Sequence, residues 1–96
     1  MERKDIQRIG SLMEQFIKAN NLEEGLARYR LIKSWNELLG VTVAKKTRSL
    51  RIRNRKLYVT LHSSVVRHEL EMIKDSIVPK LNEAAGMKVI DGIVLK

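Results

Sequence analysis

A chain of 96 residues with no cysteine has room for one domain and one core, and it can form neither a disulfide framework nor a thiolate metal site. Hydrophobic residues at 44% and charged residues at 31% exclude a disordered tract, and no apolar run reaches the ~20 residues of a membrane span. The formal charge of +8 calls for an anionic partner: nucleic acid, an acidic protein or an anionic membrane surface.

The opening "MERKDIQRI" is too charged for a signal peptide, so a cytoplasmic protein is expected. Residues 3–19 place Ile6, Ile9, Met13, Phe16 and Ile17 at helical spacing, which predicts an amphipathic helix broken at Asn20 and Asn21. A second helix carries Leu22, Leu26, Tyr29, Ile32, Trp35 and Leu39 on one stripe and stops at Gly40. Trp35, in the middle of that stripe, is expected in the core.

The period then falls to two. A two-residue turn at Asn54 and Arg55 sets Ile52 against Leu57 and Leu50 against Val59 on one face, and Arg51 against Tyr58 and Ser49 against Thr60 on the other. Such a turn prefers glycine at its second position, so Arg55 carries a cost there. Ser63 or Ser64 caps a third helix with Val66, Leu70, Ile73, Ile77 and Leu81 on its stripe, kinked at Pro79 and ended by Gly86. Residues 89–95, rich in β-branched side chains, predict a third strand with a bulge at Gly92. Residues 1–96 thus read as a single α+β domain in the order α-α-β-β-α-β. Its three-stranded sheet is covered by helices on one face and open on the face of Arg51, Tyr58 and Thr60. Strand order stays open, with the first strand a candidate for the middle.

The charge is not spread evenly. Residues 38–68 hold eight basic side chains and no Asp or Glu; the rest of the chain holds eleven of each sign. Phosphates need cations at a surface, so Lys45, Lys46, Arg48, Arg51, Arg53, Arg55, Lys56 and Arg67 are candidate nucleic-acid ligands, for affinity rather than sequence specificity. Tyr58 is either a cation–π partner of Arg51 or a stacking surface for an unpaired base. The third helix begins without a carboxylate in its first turn, so Ser63, Ser64 and Arg67 are either a phosphate site or an ordinary cap and its neighbours. His62, His68 and the serines lack an orienting carboxylate or an oxyanion site, so no catalytic residue, metal, cofactor or small-molecule substrate is assigned.

The segments "WNELLG" (residues 35–40), "VAKKT" (43–47), "NRKLYV" (54–59), "HEL" (68–70) and "KLNEAAGMKVIDGI" (80–93) occur in that order. Over residues 22–95 the chain resembles the DciA family. The resemblance implies a KH-like domain that binds DNA, single-stranded or structured, and assists the bacterial replicative helicase DnaB. Family members often have proline where this chain has Arg48 and glycine where it has Arg55, and many carry a further tail linked to helicase engagement. KH domains grip the backbone with a G-x-x-G loop; this sequence has none, which leaves the hairpin and the third helix's start to bind. A KH-like RNA-binding module and an adaptor for an acidic protein are the competing readings.

Overall fold

The computed structural model describes residues 3–96; the side chains of residues 3–10, Ile6 and Ile9 among them, lie outside the described residues. The elements are helix α1 (Arg3–Ala19), helix α2 (Glu23–Lys46), strands β1 (Thr47–Arg53) and β2 (Lys56–Leu61), helix α3 (Ser64–Ala85) and strand β3 (Gly92–Leu95). This is the α-α-β-β-α-β order the sequence predicts. The β2 strand is central, antiparallel to β1 and parallel to β3, so the sheet order is β1-β2-β3. The first strand is therefore an edge, not the middle. A parallel pair needs a long crossover, and α3 supplies it between β2 and β3.

The hairpin register agrees with the sequence pairing. Leu50 faces Val59, Arg51 faces Tyr58 and Ile52 faces Leu57. Asn54 and Arg55 both take positive φ, 51° and 62°, as a type I′ turn requires. The bulge falls between Thr47 and Ser49, not at Gly92, which pairs regularly with Lys56. A Cβ at position 92 would sit 2.9 Å from Lys56 Nζ and 3.3 Å from its Cδ, so a larger residue there would push this flexible side chain aside.

Leu57, Val59 and Leu61 of β2 are buried, while Leu50 and Ile52 on edge strand β1 are only partly covered. On α2 the buried face is Ala27, Leu31, Ser34 and Trp35; of the predicted stripe Trp35 lies in it and Leu39 packs against it, whereas Leu22 and Tyr29 are exposed. Tyr29 points outward, 63% exposed. Gly40 interrupts α2 with φ 87° and ψ 174°, a region essentially restricted to glycine, and one further stretch of helix, residues 41–46, follows the break. Trp35 is fully buried, and its Nε1–H donates to Thr47 Oγ1 at 3.1 Å, while the Thr47 hydroxyl donates to the Val43 carbonyl at 2.7 Å. This relay ties the start of β1 back onto α2 across the break.

Helix α3 is capped by Ser63, whose hydroxyl accepts from Val66 N–H at 3.2 Å, runs through Pro79 and ends on left-handed Gly86. Leu70, Ile77, Leu81 and Ala85 form its buried face; Ile73 is exposed. The predicted last strand is shorter than expected. Val89 and Ile90 are buried in a loop whose backbone is bonded by the Asn82 side chain, which accepts from both N–H groups at 2.9 and 3.1 Å and donates to the Ile90 carbonyl at 2.8 Å. One amide thus replaces three ladder bonds.

Helix α1 forms, but Leu12, Met13 and Phe16 stay 56–57% exposed. Ile17 reaches a hollow of about 350 Å³ between α1, α2 and the end of α3. The radius of gyration is 16.0 Å, against about 12–13 Å for a compact chain of this length.

Candidate nucleic-acid interface

Helices α2 and α3 cover one face of the sheet and leave the other open. Alternation along the strands decides what that open face shows. Strand β1 contributes Ser49, Arg51 and Arg53, and β2 contributes Tyr58 and Thr60. The backbone beyond β3 continues the pairing, Lys96 N–H donating to the Val59 carbonyl and Leu61 N–H to the Lys96 carbonyl, so Lys96 joins the same face. Together with Asn54 these residues line a hollow of about 470 Å³ in which none of the seven lining side chains is acidic. Tyr58, on the central strand, is half-buried, and Lys96 Nζ stands 5.6 Å from its ring centroid. The cation on the ring is thus Lys96; Arg51 is the cross-strand neighbour.

The hairpin tip is different. Asp91 Oδ1 lies 2.7 Å from Lys56 Nζ and Oδ2 lies 3.7 Å from Arg55 Nε, while Asp91 N–H donates to the Arg55 carbonyl at 2.8 Å. The Lys56 hydrogen bond, aided by the charges of Lys56, Arg55 and Lys88, holds the Asp91 carboxyl below its ordinary value, with desolvation opposing. Arg55 and Lys56 therefore already face a carboxylate. Among the described residues, no carboxylate lies within ion-pair distance of Lys45, Lys46, Arg48, Arg51, Arg53 or Arg67.

A second cluster forms where α2 ends and α3 begins. His62 N–H donates to the Lys46 carbonyl at 2.8 Å, which joins the Lys45–Lys46 end of α2 to the start of α3. Ser64 is exposed there, Arg67 is half-buried, and Ser63 is engaged as the cap. Arg48 is exposed at the bulge between the two clusters. The candidates thus divide among an open sheet face (Arg51, Arg53, Tyr58), a helix junction (Lys45, Lys46, Ser63, Ser64, Arg67) and a tip closed by Asp91 (Arg55, Lys56). Lys96 and Asp91 escaped sequence reasoning because both lie outside the acid-free stretch. Alternation did pair Ser49 with Thr60, but it gave no reason to single either out.

Residues 8–95 match the profile of the family described as "Dna[CI] antecedent, DciA". The chain belongs to the DciA family. It is 27% identical over 82 residues to a "UPF0232 protein" of Corynebacterium glutamicum (strain R), an alignment covering 85% of this chain and 46% of the relative. The chain therefore spans less than half the length of that relative. No solved structure matches. The family match takes in the whole acid-free stretch, the hairpin and Asp91.

Proposed function

We propose that this chain is a nucleic-acid-binding accessory protein of bacterial DNA replication, acting with the replicative helicase DnaB. The replication context comes from family membership. The binding reading rests on one observation: six clustered cations, on the open sheet face, the bulge and the helix junction, have no carboxylate at ion-pair distance among the described residues. Cations held near one another without partners displace counterions from a phosphate backbone, and the released ions drive association without reading sequence. The KH-like character implied by the family then lies in the α/β scaffold, with the sheet face and helix junction in place of a G-x-x-G loop.

The test is fluorescence anisotropy with a labelled single strand across a salt series. Six phosphate contacts give a log–log slope of about −4, at ~0.7 per contact. Arg51→Glu with Arg53→Glu should abolish binding with circular dichroism unchanged, because both side chains leave the core. Replacing Arg28, already paired with Glu24 at 2.8 Å, together with Arg30 should do far less. No binding at low salt, a slope near zero, or equal losses from both pairs refutes the reading. Competition between single-stranded DNA and RNA separates it from an RNA-binding module.

A second reading, an adaptor for a protein partner, is favoured by the uncovered Leu12, Met13 and Phe16 of α1. A pull-down with the helicase, with and without nuclease, distinguishes contact through protein from contact through nucleic acid.

A further inference from the structure

We infer that the open sheet face is a platform for an unpaired strand, with one base stacked on Tyr58 and the phosphates on either side of it meeting Arg51 and Lys96. The inference rests on the nucleic-acid reading above and narrows its ligand to single strands. Cations alone serve duplex and single strand alike, because both present phosphates. An aromatic ring among them does not. A duplex keeps its base faces stacked on one another, whereas an unpaired base has a free π-face for a side chain to cover.

The placement of Tyr58 suits that use. It stands on the central strand, with Arg51 as its partner on β1 and Val94 as its partner on β3. Neighbouring strands lie about 4.8 Å apart, so the whole face is on the order of 10 Å across, the scale of one nucleotide rather than a duplex. The hollow of about 470 Å³ above the ring is large enough for a nucleotide. Ser49 and Thr60, paired across β1 and β2, offer hydroxyls to a sugar or a base edge. Lys96 Nζ sits 5.6 Å from the ring centroid on a flexible four-carbon stem. It can exchange the ring for a phosphate while the backbone stays paired, which frees the ring for the base. Tyr29, 63% exposed on α2, lies outside this hollow and serves as the control.

The test compares oligothymidine, oligouridine and a duplex of similar length on the full chain. Tyr58→Leu is expected to weaken single-strand binding about five- to a hundred-fold and to leave duplex binding unchanged, while Tyr58→Phe keeps single-strand affinity and Tyr29→Leu changes neither. Loss on only one of the two single strands supports the platform and identifies DNA or RNA as its ligand. Equal loss on strand and duplex, or no loss, overturns it. If the wild-type chain binds neither strand nor duplex, the nucleic-acid reading itself has failed. Should Tyr58→Leu not fold, photo-crosslinking of the wild-type chain to a bromodeoxyuridine strand decides: adducts at Tyr58 support the platform, and adducts only elsewhere overturn it.

Discussion

Asp91→Asn should make the protein a tighter and more salt-sensitive binder. In the native chain the Asp91 carboxylate lies 2.7 Å from Lys56 Nζ and 3.7 Å from Arg55 Nε and so occupies both cations. The amide keeps the shape and still accepts from Lys56, but it no longer neutralises either cation. Six phosphate contacts give a slope of about −4, and two more at ~0.7 each take it to about −5.5. Affinity should rise most at low salt. Anisotropy titrations over a salt series measure both quantities, and Glu24→Gln is the control, since it removes the same charge beside Arg28, away from the basic stretch. An unchanged slope in Asp91→Asn, or an equal gain in Glu24→Gln, would refute local release of the tip. The pH dependence follows from the same pair. The Lys56 hydrogen bond holds the folded Asp91 carboxyl below the ordinary carboxylate range. The ion cluster's contribution to stability is therefore complete above the unfolded value and is lost only as pH falls through the lower folded value. Across the neutral range Asp91 stays ionised, and its titration should leave binding unchanged.

Thr47→Val should cost about 2–4 kcal/mol, because it leaves the buried Trp35 N–H without an acceptor and removes the hydroxyl bond to Val43. Calorimetry should show a drop in Tm of at least about 8 °C, and a native-like Tm would mean the relay is dispensable. Arg55→Gly should stabilise by about 0.5–1 kcal/mol, since glycine accepts φ of 62° without Cβ strain and the gain exceeds its extra unfolded entropy. A fall in the denaturation midpoint would show that Arg55 is held there by its neighbours. Ser64→Asp should hold or raise stability, because a carboxylate suits a helix N-terminus, yet lower nucleic-acid affinity by repelling phosphate. Unchanged affinity in a stable variant removes the helix junction from the interface.

Local structure and the sign of the surface were legible in the order of the residues alone. Period-two alternation through residues 48–61 decided the hairpin register, because a slip by one residue would have turned Leu57 and Val59 to solvent. Gly40, Ser63 and Gly86 marked breaks and caps through backbone preferences that act within a few residues. The acid-free stretch fixed where positive charge would gather. Which of those cations remain open depends instead on how the folded elements meet. Asp91, distant in the chain, is brought onto Arg55 and Lys56 by the parallel pairing of β2 with β3, and the same pairing carries Lys96 to Tyr58. Strand order, the burial of Ala27 and Leu31 rather than Leu22 and Tyr29 on α2, and the uncovered side of α1 were settled there as well. Each depends on which surfaces meet across a crossover, and hydrophobic periodicity reports that a face is apolar without naming what covers it.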